Sequence, residues 1–588
     1  MDSFADPARI SRNWGVEVGG KKLLHEISGT ASPGRLVAVC GPSGAGKSTL
    51  LKTIASRLKA SKSLTASGHV EGVPSRIAFV QQSDLFYEYS TVRETLEFAV
   101  RLKLARLSEE EQDKRVAGAL AKTGLSKVKD TTVGGISGGE RRRLSIAREL
   151  LDDPECVFLD EPTSGLDSYS AERVARALRA LADEGRTVVC VIHQPSAAVF
   201  DMFDDLILLS EGELMYSGPI SLCDAYFASL GFPRRSASRA EHALAVVSVD
   251  VEDETASRRR LEKIAAKAAT SARGKHHQRA TANDNDDNVV RARASPWTQF
   301  RLLYARAARD VGRAKGANAV KAAQQLMTAL IYGGIYALDD TQASIQDRFG
   351  LLSLSIIGST NLAVASSIRT FPKEKQIVLG ERDLYGAFPY LLSKVAAEVP
   401  LVATLSALFG VVVYPLARLQ RTMRKFLTFL GVTTLNTVAS SALGLLVGAL
   451  APSTDAALAV FPVVIVLSVV FNGANISVES TPKLLRWLPT ISLVKWGFEA
   501  LAVNEFTGLV FKPRKRGPPG TLTGEDALDR LDFRHSTVKR ALTAQSLILG
   551  SSYLQTYRTL KNSKPHFALL AEPPPLAKTH RRPHLAFF

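Results

Sequence analysis

The sequence predicts two unlike domains in one chain, an α/β domain over residues 1–232 and an all-α membrane domain with six helical spans over residues 319–566. Two observations predict this division. Short β-rich apolar runs alternate with helical stretches in the first part, and six charge-free apolar stretches follow residue 320. The mean hydropathy of +0.03 is therefore the average of two halves and describes neither of them.

The α/β prediction rests on short apolar runs that end in loops and alternate with helical stretches. The predicted strands are Leu36–Cys40, Ile77–Val80, Val157–Leu159, Val188–Ile192 and Leu206–Leu209. The membrane prediction rests on the cost of charge in hydrocarbon, which about 20 apolar residues cross as a helix. The predicted spans are Ala322–Leu338, Phe349–Ile368, Val399–Ala417, Phe426–Thr454, Ala456–Val478 and Ala541–Tyr557. Burial in a soluble domain is the alternative for one or two of them.

The segments outside these domains are more polar. Residues 233–294 are predicted to form a low-complexity linker that is partly disordered. Residues 295–318 are predicted to form an amphipathic connecting helix, in which Trp297 and Tyr304 lie opposite Arg301 and Arg309, as is typical of a membrane surface. Residues 567–588 are a C-terminal tail.

The net charge of +17 suggests a nucleic-acid or membrane-surface partner when it is taken alone. The distribution of this charge argues against a nucleic-acid partner. A nucleic-acid enzyme is expected to be basic in its catalytic part, whereas residues 1–230 carry 28 basic and 31 acidic side chains. The four cysteines, at positions 40, 156, 190 and 223, have neither zinc-site nor disulfide spacing and are predicted to be buried reduced thiols.

The strongest motif is a glycine-rich loop that follows a predicted strand and precedes a helix, in the pattern GxxxxGK[ST]. Such a loop curls its backbone N–H groups around phosphates, and the helix N-terminus adds its dipole. Lys47 is predicted to neutralise the β- and γ-phosphates and Ser48 to ligate Mg²⁺. The phosphate-binding residues are Gly41, Pro42, Ser43, Gly44, Ala45, Gly46, Lys47, Ser48 and Thr49.

Acidic and polar residues follow three other predicted strands. Asp160 is predicted to support Mg²⁺ and Glu161 to polarise the attacking water. Gln82 follows the second strand, and His193 follows the fourth, as a γ-phosphate sensor. A second phosphate-binding turn is predicted at the helix start Ser137-Gly-Gly-Glu140, for which an ordinary helix cap is the alternative.

These segments resemble the nucleotide-binding domain of an ABC transporter. The Walker A, Q-loop, signature, Walker B, D-loop and switch histidine of that family correspond, in the usual order, to Gly41–Ser48, Gln82, Ser137–Glu140, Leu159–Glu161, Ser164–Asp167 and His193. A nucleotide-binding domain before the membrane domain is the order of the G (white–brown complex) subfamily of half-transporters. The sequences of the motifs are most similar to those of plant-type members. The resemblance continues at Gln346–Gly350, Phe371–Glu374, Glu381–Arg382, Tyr390–Lys394 and Asn504–Phe506.

The resemblance implies an ATP hydrolase coupled to transmembrane transport, with ATP and Mg²⁺ as cofactors. Family members sandwich each ATP between Walker A of one nucleotide domain and the signature of another, so a homodimer or a heterodimer with another half-transporter is expected. The residues assigned to ATP in this way are Ser137, Gly138, Gly139, Glu140 and Asp167. One departure is a shortened approach to the signature, where Val133-Gly-Gly runs directly into Ile136.

The expected activity is export of a hydrophobic or amphipathic compound, such as a lipid or sterol, across a plasma or organelle membrane. The chain is then a multi-pass integral membrane protein in contact with membrane lipids, with a cytoplasmic ATPase domain and no nucleic-acid partner. Candidate substrate-cavity residues are Thr360, Asn361, Phe471 and Asn472, for which helix packing is the alternative. Two other functions stay open: a non-transporting or regulatory partner subunit of a heterodimer, and a soluble ABC ATPase acting on nucleic acid or ribosomes.

Overall fold

A computed structural model describes residues 14–18, 21–58, 64–67, 76–236, 238–250, 252–273, 294–472, 487–512 and 522–563. The described residues before position 294 form one compact unit and those from position 294 onwards form another. Each unit has its own buried apolar clusters, as the predicted division requires.

The first unit is built on a six-stranded sheet. The strands of the unit are β1 (Trp14–Val18), β2 (Lys21–Ile27), β3 (Leu36–Cys40), β4 (Leu64–Ser67), β5 (Ile77–Val80), β6 (Cys156–Asp160), β7 (Thr187–Val191), β8 (Asp205–Ser210) and β9 (Glu213–Pro219). The sheet has the order β5-β6-β7-β3-β8-β9, in which only β9 runs antiparallel. All five predicted strands lie in this sheet, whereas β1, β2 and β4 form a separate antiparallel sheet that the sequence did not predict.

The helices of the first unit fall into two groups. They are α1 (Lys47–Ile54), α2 (Val92–Lys103), α3 (Glu109–Lys122), α4 (Gly138–Leu150), α5 (Ser168–Asp183), α6 (Ala197–Phe200), α7 (Cys223–Ser229), α8 (Arg239–Val247) and α9 (Glu254–Arg273). Helices α2, α3 and α4 share an apolar core of their own, and each begins with a capping box. All four cysteines are buried and free, and burial raises the pKa of the Cys40 thiol to about 12.

The described part of the predicted linker over residues 233–294 contains two helices. Helices α8 and α9 lie there, and α9 buries Leu261 and Ile264 in the core of the first unit. One apolar face is enough to hold a helix of polar composition against a sheet. Partial disorder of the linker stays a prediction. The rest of the linker, residues 274–293, and the C-terminal tail lie outside the described residues.

The second unit is helical. Its elements are α10 (Pro296–Arg313), α11 (Lys315–Ile335), α12 (Ser344–Ser367), α13 (Thr370–Glu381), α14 (Ala387–Leu416), α15 (Met423–Leu450), α16 (Thr454–Val470), α17 (Leu488–Ile491), α18 (Leu493–Phe506), the two-residue strands β10 (Val510–Phe511) and β11 (Leu522–Thr523), α19 (Gly524–Asp529) and α20 (Val538–Asn562). Helix α10 matches the predicted connecting helix. Helices α12, α15, α18 and α20 pack against one another around stacked rings such as Phe349 and Phe506, whose centroids are 4.3 Å apart.

Each predicted span overlaps a helix, and residues 473–478 of the fifth span lie outside the described residues. The helices differ in apolar character. Within the described part of the chain, three stretches, Ser344–Glu381, Ala387–Leu416 and Met423–Leu450, are long and apolar enough to cross a membrane, and the apolar stretch Thr454–Leu467 is shorter. Helices α11 and α20 are long enough but carry more polar side chains, including Gln325 and Gln545. The number of six spans therefore stays a prediction.

Candidate ATP site

Four predicted segments meet at the carboxyl edge of the sheet, where parallel strands end together and open α/β sheets bind ligands. The register pairs Val191 at the end of β7 with Val39 on one side and Asp160 on the other. The glycine-rich loop after β3, the acids at the end of β6 and the histidine after β7 therefore follow adjacent strands. Gln82 follows β5, the next strand, whose Val80 pairs with Leu159.

The loop between β3 and α1 takes a path that only glycine allows. Gly41 and Gly46 have φ values of +150° and +89°. A Cβ atom on Gly41 would lie 2.1 Å from the carbonyl oxygen of Leu209, and one on Gly46 would lie 2.5 Å from Leu24 Cδ2. Helix α1 begins directly after this loop without a side-chain cap, so its first N–H groups are left for an anion.

Lys47 is a buried cation held by neutral groups. Its Nζ donates to the carbonyl oxygens of Gly41 and Pro42 at 2.8 and 2.7 Å. Burial lowers the pKa of Lys47, while the nearby groups Cys40, Glu161 and Asp160 act in the opposite direction. A positive group in a ring of N–H donors makes the loop a binding site for polyanions.

Ser48 and Asp160 form a cluster of oxygen ligands beside the loop. Ser48 Oγ donates to Asp160 Oδ1 at 2.7 Å, and Lys52 Nζ lies 3.0 Å from Asp160 Oδ2. Asp160 is only 1% exposed. A hydroxyl and a carboxylate fit Mg²⁺, which binds proteins through one or two carboxylates together with substrate phosphates.

Glu161 and Gln82 are in direct contact. Gln82 Nε2 donates to Glu161 Oε2 at 2.8 Å. Glu161 has φ +50°, a conformation that is unusual for a residue with a side chain, and its N–H donates to the carbonyl oxygen of Val191 at 3.0 Å. His193 lies exposed after β7, and no described hydrogen bond joins it to Glu161. Thr49 lies in the first turn of α1.

The second predicted phosphate-binding turn lies at the start of α4. Ser137 caps this helix, and Glu140 Oε2 accepts from both the N–H and the hydroxyl of Ser137 at 2.9 Å, which holds the pKa of Glu140 below its usual range. Ser137 and Gly138 are exposed. A Cβ atom on Gly139 would lie 2.9 Å from Ser170 Cβ, so only glycine fits.

The signature turn and the loop after β3 belong to different parts of the unit. Ile136, next to the turn, packs in the apolar core shared by α2, α3 and α4, whereas Ala45 of the loop packs in another cluster with residues of the six-stranded sheet. Among the described residues, no hydrogen bond joins residues 137–140 to residues 41–48. Asp167, the last D-loop residue, caps α5 by accepting from the N–H of Ser170 at 2.9 Å. The structure thus brings together the Walker A, Walker B and Q-loop residues and leaves the signature exposed elsewhere on the unit.

Sequence reasoning missed Arg142, which connects these parts. This arginine on α4 is 2% exposed. Its guanidinium donates to the carbonyl oxygens of Gln81 at 2.5 Å and Asp160 at 2.8 Å, and to Asp84 Oδ1 at 2.9 Å. Within Arg141–Arg143 the three arginines look alike in the sequence. Arg142 and Arg143 are both buried, and the contacts of Arg142 with Gln81, Asp84 and Asp160 reveal its role.

The candidate substrate-cavity residues lie mostly inside the second unit. Thr360 is buried and accepts from Asn436 Nδ2 at 2.9 Å, and Asn472 Nδ2 donates to Ser353 Oγ at 3.3 Å. Phe471 is 8% exposed. Asn361 is half-buried. These contacts are compatible with the helix-packing alternative, and the cavity role of all four residues stays a prediction.

Comparison with known proteins agrees with both units. Residues 24–164 match the family model described as ABC transporter, and residues 298–506 and 193–238 match two models described as ABC-2 type transporter. ABC transporter G family member 7 of Arabidopsis thaliana is 41% identical, over 93% of this chain and 79% of its own length. The protein white of Drosophila melanogaster is 33% identical, over 83% of this chain and 75% of its own.

A third relative, the ABC transporter ATP-binding protein/permease wht-1 of Caenorhabditis elegans, is 32% identical over 88% of this chain and 84% of its own length. The first unit is thus an ATPase domain that binds ATP, and its hydrolysis of ATP is coupled to transport. The membrane-type ABC-2 domain makes the chain an integral membrane protein. The chain belongs to the G family of ABC transporters and is one of its half-transporters.

Proposed function

We propose that two copies of this chain form an ATP-driven exporter for a hydrophobic or amphipathic compound, such as a lipid or sterol. The observation that carries this proposal is the separation of the exposed turn Ser137–Gly138 from the glycine-rich loop of the same unit. A chain with one loop and one signature completes an ATP site only with a second chain, and two-fold symmetry then gives two sites.

Within each site, the residues act in distinct roles. The loop N–H groups and Lys47 bind the phosphates, and Ser48, Asp160 and Gln82 would hold Mg²⁺, which screens phosphate charge when bound. Glu161 accepts the proton of the attacking water, and its contact with Gln82 fixes the carboxylate. His193 contacts the γ-phosphate from the neighbouring strand end. Ser137 and Asp167 belong to the ATP of the other chain.

Transmission to the membrane helices is proposed through helix α10 and the segment 369–388. Both lie in the second unit and are firmly joined there. Arg306 Nη1 lies 3.0 and 2.9 Å from the two carboxylate oxygens of Glu381, and the Gly386 N–H donates to Gln299 Oε1 at 2.9 Å. A joined pair of elements can pass on closure of the ATPase domains as one body, giving alternating access.

The test is ATP hydrolysis by the purified full chain in lipid vesicles, without and then with candidate lipids and sterols. We expect basal activity from the chain alone and stimulation by a transported compound. A chain that is silent until another half-transporter is added would contradict the homodimer and identify a heterodimer. The alternative of a regulatory subunit predicts no ATP hydrolysis at the site that contains Lys47 and Glu161 of this chain, even though both residues are intact.

Orientation gives a second prediction. We propose a cytoplasmic ATPase domain, six spans and an outward turn between α14 and α15. This turn carries Arg418 and Arg421, and the first turn of α15 carries Arg424 and Lys425, although the positive-inside rule places such residues in the cytoplasm. The native cysteines are all buried, so an introduced cysteine gives a clean signal. In sealed cells, Arg421→Cys should react with an impermeant maleimide. Lys373→Cys, in α13, should react only after permeabilisation. The reverse pattern would overturn the orientation.

A further inference from the structure

The turn between α14 and α15 borders a cavity of about 370 Å³ in the second unit. Its walls include Val411 and Tyr414 of α14, Met423 and Phe426 of α15, and the turn residues Arg418 and Arg421. The size falls in the range of small-molecule sites. The cavity is separate from the ATP site and from the candidate residues at positions 360, 361, 471 and 472.

The cavity joins a cationic side to an apolar side. Tyr414 is buried, and its ring centroid lies 5.1 Å from that of Phe426 in an edge-to-face arrangement. Val411 and Met423 are 50% and 69% exposed at the margin of the cavity. Both helices are among the stretches apolar enough to cross a membrane, and the aromatic pair lies near the two helix ends that the turn joins. Aromatic rings are favoured at membrane–water interfaces.

The two arginines are exposed at the turn. Among the described residues, neither the Arg418 guanidinium nor the Arg421 guanidinium has a hydrogen bond or an ion pair. Elsewhere in this unit, buried arginines such as Arg306 and Arg348 are paired with glutamates. Two unpaired guanidinium groups beside an apolar wall are complementary to an anionic head on an apolar body.

The turn that carries them is rigid. Arg418 has φ +57°, a left-handed conformation at the end of α14 in which glycine is the usual residue. The Leu419 N–H donates to the Tyr414 carbonyl oxygen at 3.3 Å, and the Tyr414 hydroxyl donates to the Gln420 carbonyl oxygen at 2.7 Å. Gln420 is tied in turn to Glu505 of α18. The backbone that presents the arginines is therefore fixed before any ligand arrives.

We propose that this cavity binds a free single-chain amphiphile with a carboxylate head, which Arg418 and Arg421 clamp while Tyr414, Phe426 and Val411 contact the chain. A guanidinium matches a carboxylate in two-pronged geometry. The volume admits a head and part of one chain, and it is too small for a whole phospholipid. The role of receiving a transported compound rests on the proposed function, whereas the binding does not.

The test is equilibrium binding of radiolabelled oleate to the full chain in nanodiscs of phosphatidylcholine, with oleyl alcohol as the uncharged ligand of equal length. We expect saturable oleate binding, with a Kd at least about tenfold higher in the double variant Arg418→Gly, Arg421→Gln. Glycine suits the left-handed position, so the turn is retained. Arg424→Gln, an exposed arginine in the first turn of α15 that does not line the cavity, should change the Kd less than about twofold. Oleyl alcohol should bind all variants alike.

Three results would overturn the proposal: unchanged oleate binding in the double variant, an equal loss in Arg424→Gln, or displacement of oleate by phosphatidylglycerol in the disc. The last would assign the cavity to a membrane lipid head group. Basal ATP hydrolysis is measured on the same samples. Because oleate binding requires no ATP, a chain that binds oleate through these arginines but hydrolyses nothing alone would contradict the proposed homodimer and leave the binding site standing.

Discussion

Glu161→Gln is expected to bind ATP as the unchanged chain does and to hydrolyse it at least about 100-fold more slowly. The amide keeps the shape of the carboxylate and can still accept a hydrogen bond from Gln82, which donates to Glu161 Oε2 at 2.8 Å. It cannot take a proton from water. The positive φ of Glu161 is a property of the backbone, and both residues carry the same Cβ, so the fold should be retained.

The measurement pairs steady-state ATP hydrolysis in lipid with equilibrium binding of a fluorescent ATP analogue. Glu155→Gln is the matched control, because Glu155 immediately precedes β6, the strand that Glu161 follows. The Glu155 side chain is exposed and lies 3.0 Å from Arg76. The control should hydrolyse ATP at close to the unchanged rate. Wild-type-like turnover in Glu161→Gln would remove Glu161 from its proposed role.

Arg142→Met is expected to destabilise the ATPase unit by about 3 kcal/mol or more, because one partner of a buried charge pair is lost. Asp84 would lose its cation, although Ser145 Oγ would still donate to it at 2.5 Å. The carbonyl oxygen of Asp160 would lose a donor in a buried place, and that of Gln81 would lose one in a part-buried place. Gln81 immediately precedes Gln82, and Asp160 immediately precedes Glu161. ATP hydrolysis should therefore fall even where the chain remains folded.

The comparison variants separate folding from positioning. Arg141→Met removes a side chain that donates to Val133 O at 3.0 Å, and it should cost about 1 kcal/mol. Arg142→Lys keeps the charge, reaches fewer acceptors and should recover part of the hydrolysis rate. The measurements are thermal unfolding of the full chain and kcat with KM for ATP. An Arg142→Met chain that unfolds and hydrolyses like Arg141→Met would contradict the positioning role.

The strands and the phosphate-binding residues were predictable from the sequence because local patterns determine them. An apolar run, a glycine-rich loop and a helix start are contiguous, and two glycines fit where a Cβ would clash. The acids after β6 were predictable for the same reason. Their spatial relation to Gln82 follows from the order of strands in the sheet, in which β5 pairs with β6, and the sequence did not predict that order.

Other features depend on contacts between distant parts of the chain. The packing of α9 on the first unit rests on Leu261 and Ile264, two apolar residues in a polar segment. Arg142 is separated by 58 positions from Asp84, and nothing local distinguishes it from its neighbours. Thr360 accepts a hydrogen bond from Asn436, which lies 76 positions away on another helix. Tertiary pairing of polar groups leaves no periodic signal in a single sequence.

Each ATP site is proposed to be shared by two chains, and mixing two inactive variants tests this sharing most directly. Lys47→Ala disables the glycine-rich loop and Ser137→Arg blocks the exposed turn at the start of α4, so each variant alone should hydrolyse almost no ATP. Two different affinity tags allow the mixed dimer to be purified in lipid. It has one site with both defects and one site with none, and it should hydrolyse ATP at about half the unchanged rate per dimer. A mixed dimer as inactive as its parents, beside an active doubly tagged wild-type dimer, would contradict the shared site.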